Sequence, residues 1–163
     1  SSIFLPYIQS MKLEDLVIAS PDVGGSKRAS SYAKYLGVDL VLCHKQRAKA
    51  NVVESMKIIG DVQGKNVIIL DDMVDTAGTI TKAADLMIEN GALSVRAFAS
   101  HGVLSDPATE RIEKSQLTAI YFTDSIPLRK ESEKIKVLSV ADLIANTIIN
   151  VNTNKSISSS YLV

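Results

Sequence analysis

Short apolar runs alternate with amphipathic stretches along the chain, and this alternation predicts the fold. Residues 16–19, 39–43, 52–59, 67–70, 94–99, 117–122 and 136–138 read as strands. The run at 67–70 is β-branched and continuously apolar, the signature of a strand buried on both faces. Between the runs the period becomes helical. In residues 26–37, Ala29, Tyr32, Ala33 and Leu36 share a face and Gly37 supplies a stop. In residues 79–90, Ile80, Ala83, Ala84, Met87 and Ile88 point one way and Asn90-Gly91 ends the helix. Asp106-Pro107 predicts a third helix, with Asp as N-cap and Pro in its first position, running to about Lys114. A fourth runs from Ser139 to about Ile149. Residues 3–14 are weakly amphipathic, with Phe4, Leu5, Ile8, Met11 and Leu13 as core positions.

Strand–helix alternation of this kind gives an α/β domain: a mainly parallel sheet flanked by helices on both faces. Residues 1–150 form that single domain, with no internal repeat and no linker. Residues 151–163, rich in Asn and Ser, are expected to fray. Ligands of such sheets bind beyond the carboxyl ends of the strands. The turns after Ala19, Cys43 and Leu70 should therefore converge on one edge.

Each of those turns carries chemistry. Asp71 and Asp72 are expected where the strand at 67–70 ends, followed by the small-residue turn Asp75-Thr76-Ala77-Gly78-Thr79 before a helix. Free amides and the helix dipole favour an anion there. The paired carboxylates suit hydroxyls or a metal instead. Together they describe a ligand with a phosphate at one end and a diol in the middle, such as a ribose phosphate. Alone, the acidic pair is as well explained by ordinary helix capping. The turn Ser20-Pro-Asp22-Val-Gly24-Gly25 places a carboxylate beside two glycines, which let amides close on a diphosphate while the Asp holds Mg²⁺. The basic stretch from His44 to Asn51, with Lys45 and Arg47, lacks apolar periodicity and reads as an exposed, mobile loop. Flexible cations of this kind can close over a transferring phosphoryl group.

Composition narrows the field. Hydrophobic residues are 46% and charged residues 22% of the 163, and Lys plus Arg equals Asp plus Glu. That balance gives no field for nucleic acid or an anionic membrane. No apolar run is long enough to span a membrane and no signal peptide is evident, so a cytoplasmic protein is expected. The single cysteine, Cys43, at the end of an apolar run, fits a reducing compartment and reads as a buried structural thiol. The chain opens on Ser1 with no Met, which leads us to expect that it starts partway along a longer protein.

The string Val67-Ile-Ile-Leu-Asp-Asp-Met-Val-Asp-Thr-Ala-Gly-Thr79 resembles the phosphoribosyl diphosphate (PRPP) binding motif of type I phosphoribosyltransferases and ribose-phosphate pyrophosphokinases. The third acidic residue before Thr-Ala-Gly-Thr makes it more similar to the pyrophosphokinases. Ser20-Pro-Asp-Val-Gly-Gly25 resembles their pyrophosphate loop, Lys45-Gln-Arg47 and Asn51-Val-Val-Glu54 their flexible catalytic loop, and Ser158-Ser-Ser-Tyr-Leu-Val163 their C-terminus, with Val in place of Phe. His101-Gly-Val-Leu-Ser105 and Asp124-Ser-Ile-Pro127 fall where the family has similar turns, more often with Asn at the position of Asp124. Only the second of the family's two similar halves is matched.

The resemblance implies a type I phosphoribosyltransferase-like fold and a C-terminal, ribose 5-phosphate-binding domain. It implies that the enzyme transfers the diphosphoryl group of ATP to ribose 5-phosphate. Lys45 and Arg47 would be catalytic. Asp71, Asp72, Asp75, Thr76, Ala77, Gly78 and Thr79 would bind ribose 5-phosphate. Gly24 and Gly25 would approach the diphosphate, with Asp22 holding Mg²⁺. Ser158 and Ser160 would contribute to a regulatory phosphate site. It further implies an N-terminal half, dimers or hexamers, and little activity in this chain alone. A type I phosphoribosyltransferase consuming PRPP is one alternative, although no base-selecting hood segment is evident. A non-catalytic regulatory subunit is another.

Overall fold

The computed structural model describes residues 2–46 and 55–158. In chain order the elements are α1 (Phe4–Ser10), β1 (Leu16–Ser20), α2 (Ser26–Leu36), β2 (Asp39–Gln46), β3 (Ser55–Ile59), β4 (Asn66–Val74), α3 (Gly78–Glu89), β5 (Ser94–Gly102), α4 (Ala108–Lys114), β6 (Ala119–Thr123), β7 (Ile135–Leu138) and α5 (Ala141–Asn152). The strands form one sheet in the order β3-β2-β1-β4-β5-β6-β7. Every neighbouring pair is parallel except β2 with β3.

From β1 the chain moves outward to β2 through α2; from β4 it moves the other way to β5 through α3. Right-handed crossovers in opposite directions put the two helices on opposite faces. The core divides accordingly. On one side Ile80, Ala83, Ala84 and Met87 of α3 and Ile112 of α4 pack on Val17, Val67, Ile69, Val95 and Phe122. On the other, Phe4, Leu5 and Ile8 of α1 and Ala29, Tyr32 and Ala33 of α2 pack on Ile18, Ile68, Leu70, Phe98 and Tyr121. Alternate residues of each central strand feed opposite faces, which is why 67–70 is apolar throughout. Phe98 anchors α1, meeting Phe4 edge-on at 5.4 Å between ring centroids and stacking on Tyr121 at 4.5 Å.

Several expectations about element ends need correction. β4 does not stop at Leu70: it continues through Asp71 and Asp72 to Val74. Its pairing with β1 ends at Ile69, but its ladder with β5 runs on to Val74 opposite Gly102. Hydrogen bonding on one side is enough to keep the backbone extended after the apolar run has ended. The same ladder draws His101 and Gly102, expected in a turn, into β5. A Cβ on Gly102 would lie 2.9 Å from the Phe122 ring, so the close approach needs glycine.

His44, Lys45 and Gln46 are likewise strand, not loop. They pair antiparallel with Lys57, Met56 and Ser55. Backbone pairing at the sheet margin asks for no apolar face, so periodicity could not reveal it. Finally, α4 starts at Ala108, with Pro107 in the N-cap position and no side-chain cap. Asp106 is engaged elsewhere, accepting from Lys130 Nζ at 2.7 Å. In α5 the chain stays helical through Asn152.

Candidate functional site

The change of winding direction between β1 and β4 opens a crevice at their carboxyl ends, where open α/β sheets bind ligands. Two of the predicted turns flank it. After β1, Ser20 is fully buried and its Oγ donates to the Asp22 carbonyl at 2.7 Å. Asp22 Oδ1 in turn accepts from the Gly25 amide at 2.9 Å. A Cβ on Gly25 would lie 2.7 Å from Ser20 Oγ, so this turn closes tightly only with glycine there. It leads directly into α2, whose N-terminus has no side-chain cap.

After β4, Ala77 takes a left-handed conformation (φ 58°) and α3 begins at Gly78, again with no side-chain cap. Its first-turn amides have no intrahelical partners. Two residues that sequence reasoning did not single out hold this turn. Thr81, buried, donates its hydroxyl to the Ala77 carbonyl at 2.8 Å. Arg111 of α4 donates through Nη1 to the Thr76 carbonyl at 2.9 Å. Thr76, Gly78 and Thr79, with Arg111 and Lys114, line a cleft of about 630 Å³ between α3 and α4. Asp75 and Thr76 are exposed at the turn.

Asp71 and Asp72 lie between these turns on the part of β4 that outruns β1. Local bonds fix them: Asp71 Oδ1 accepts from the Asp72 amide and Asp72 Oδ1 from the Met73 amide, both at 2.9 Å. Arg28, also unforeseen, reaches across from α2, with Nη2 2.9 Å from Asp72 Oδ2 and Nη1 3.6 Å from Asp71 Oδ1. Burial pushes the Asp71 carboxyl up to about 6, and the negative charges of Asp72 and Asp22 add to the effect. Asp72 is desolvated less than it is stabilised: the Asp71 hydrogen bond and the Arg28 guanidinium hold it below the ordinary carboxylate range.

Lys45 belongs to β2, opposite Met56. Arg47, residues 51–54 of the predicted catalytic loop, and Ser160 lie outside the described residues. Ser158 is exposed, and its amide donates to Ser156 Oγ at 3.1 Å. Asp124 performs a local task, accepting from Ser139 Oγ at 2.7 Å and the Val140 amide at 2.8 Å where α5 begins. Among the described residues no group of three or more His, Cys, Asp or Glu could hold a metal by itself. Mg²⁺ commonly takes one or two carboxylates and completes its shell with water and substrate phosphates. The exposed Asp22, with one oxygen given to the Gly25 amide, fits that pattern.

A family model, the phosphoribosyl synthetase-associated domain, matches residues 46–163. The chain belongs to this family. It is 60% identical over 162 residues to a ribose-phosphate pyrophosphokinase from Porphyromonas gingivalis, a match that covers 99% of this chain and 52% of the relative. Its identity to the enzyme of that name from Wolinella succinogenes is 52%, with the same coverage. The chain thus spans about half the length of these curated relatives of the phosphoribosyl synthetase family. A solved phosphoribosylpyrophosphate synthetase from Mycobacterium smegmatis superposes with a TM-score of 0.85 at 40% identity, covering 93% of this chain and 50% of that one. A purine phosphoribosyltransferase from Pyrococcus horikoshii shares the fold alone, with a TM-score of 0.51 at 20% identity over 85% of this chain and 80% of that one.

Proposed function

We propose that this chain is the ribose 5-phosphate-binding domain of a ribose-phosphate pyrophosphokinase. The observation that carries the reading is the juxtaposition at one sheet edge of an uncapped helix start, an acidic pair and a glycine turn with its own carboxylate. The 5-phosphate rests on the amides and hydroxyls of Asp75 to Thr79. Asp71 and Asp72 accept from the 2- and 3-hydroxyls. The diphosphoryl group transferred from ATP lies over Gly24 and Gly25. Asp22 would hold Mg²⁺, which would supply positive charge to the diphosphate. In the reaction, the anomeric hydroxyl attacks the β-phosphorus of ATP and gives up its proton, the bond from that phosphorus to the oxygen bridging the α-phosphate breaks, and AMP leaves with that oxygen. Lys45 and Arg47 offset the charge on the transferring group.

The relatives' remaining half would supply what this domain lacks for turnover, and the assembled enzyme would be a homodimer or hexamer. Ser158 and Ser160 would serve a regulatory phosphate. A reducing cytoplasm suits the buried thiol of Cys43.

Calorimetric titration of this chain with ribose 5-phosphate, with and without Mg²⁺ and with ribose as control, tests the core of the reading. Binding should require the phosphate. It should weaken by about tenfold or more when Asp75→Ala and Thr76→Ala are combined. Equal binding of ribose and its phosphate would refute a phosphate site at this turn.

A further inference from the structure

Arg28 is the one side chain described here that reaches from the Asp22–Gly25 turn to the acidic pair. It lies in the first turn of α2, three residues past Gly25. A Cβ on Gly25 would be 3.8 Å from its Nη1, so the guanidinium lies beside the glycine turn. From there Nη2 forms an ion pair with Asp72 Oδ2 at 2.9 Å. Nη1 is buried and has no hydrogen-bond partner, and its 3.6 Å separation from Asp71 Oδ1 is beyond hydrogen-bonding reach. An idle buried donor is costly, so something beyond its own hydrogen bonding keeps the side chain there. A planar fork can face two carboxylates at once, which a lysine ammonium on its flexible stem cannot do with the same geometry.

We propose that Arg28 is a positioning residue for the sugar diol: lying beside Gly25 and paired with the acidic residues, it aims the Asp72 carboxylate and holds Asp71 beside it, so that the two accept from neighbouring hydroxyls. This rests on the ribose 5-phosphate reading above and adds to it the residue that sets selectivity for the diol. Arg28 does not touch the ligand; it acts through the acidic pair. A site built to accept from a sugar hydroxyl discriminates against an analogue without it, because its acceptors are then left unpaired.

The test is to titrate wild type, Arg28→Gln and Arg28→Lys with ribose 5-phosphate and with 2-deoxyribose 5-phosphate, which keeps the phosphate and lacks one hydroxyl. Wild type should prefer the ribose compound. Arg28→Gln should lose about tenfold in affinity for ribose 5-phosphate while its affinity for the deoxy sugar stays within about twofold. Arg28→Lys should retain an intermediate preference, and it carries the comparison if circular dichroism shows Arg28→Gln unfolded. Equal losses for both ligands would make Arg28 a merely structural residue and overturn the proposal, as would an unchanged preference in both variants. Wild type that binds both sugars equally, or neither, would overturn the diol reading itself, and with it this proposal.

Discussion

Asp71 and Asp72 are adjacent in sequence and opposite in environment. The Asp71 side chain is 22% exposed and that of Asp72 67%. Because its folded-state value is raised, Asp71 binds a proton in the folded state at pH values where the unfolded chain has released it. It therefore costs no stability below its ordinary value of 3.8, and the cost grows as pH rises to about 6 and is complete above that. Asp71→Asn should accordingly stabilise the fold by on the order of 1–3 kcal/mol at pH 8 and by almost nothing below about pH 4, as read by urea unfolding. The same substitution should weaken ribose 5-phosphate binding, so stability and function would move in opposite directions. An equal effect at both pH values would mean that Asp71 is not held protonated by burial. Cys43 shows the same desolvation in a thiol: burial, then the Asp22 charge, pushes it up to about 11, which suits an inert core residue.

At the scale of elements, the turn between β1 and α2 is set by one contact that no substitution at Gly25 can avoid. Its added Cβ meets Ser20 Oγ at 2.7 Å, and that hydroxyl is already committed to the Asp22 carbonyl. Gly25→Ala should therefore cost about 1–3 kcal/mol in unfolding free energy. Ser20→Ala in the same chain should recover part of the loss, because it removes the clashing oxygen; a double-mutant cycle measures the coupling. Additive effects would show that the turn yields elsewhere. The turn before α3 is held differently. Thr81 and Arg111 donate to its carbonyls, at Ala77 and Thr76. The two turns belong to different crossovers on opposite faces of the sheet, yet both open at the point where the winding reverses.

For the molecule as a whole, α5 is the exception. It buries no side chain, and Ile144, Ile148, Ile149 and Val151 are exposed. Exposed apolar residues contribute little to the stability of the chain that carries them. The pair Ile148→Ser and Ile149→Ser should shift the unfolding free energy of this chain by less than about 0.5 kcal/mol per site. Ile80→Ser, in the core under α3, should cost roughly 3 kcal/mol or more. A large loss from the α5 pair would mean that this helix is packed in solution. No helix among the described residues is long and apolar enough to cross a membrane, so the apolar face of α5 is not that of a spanning helix.

What the sequence determined by itself is what depends on neighbours along the chain. The apolar runs marked the strand centres, and the period-3.6 faces of α2 and α3 named buried residues such as Ala29, Tyr32, Ile80 and Met87. Gly37 and Gly91 marked helix ends, and both have left-handed φ, of 68° and 88°. The two turns after β1 and β4 could be read because each is a contiguous string whose conformation lies largely in its own backbone. What only the tertiary structure decided depends on partners distant in sequence. β4 runs past its apolar segment because β5 is there to pair with it, and His44 to Gln46 are strand because β3 lies alongside. Arg28 and Arg111 look like surface cations in sequence. They become site residues only when the sheet brings Asp72 to one and the Thr76 carbonyl to the other, since a charge acts through space and gains its role from what folding places within a few ångströms.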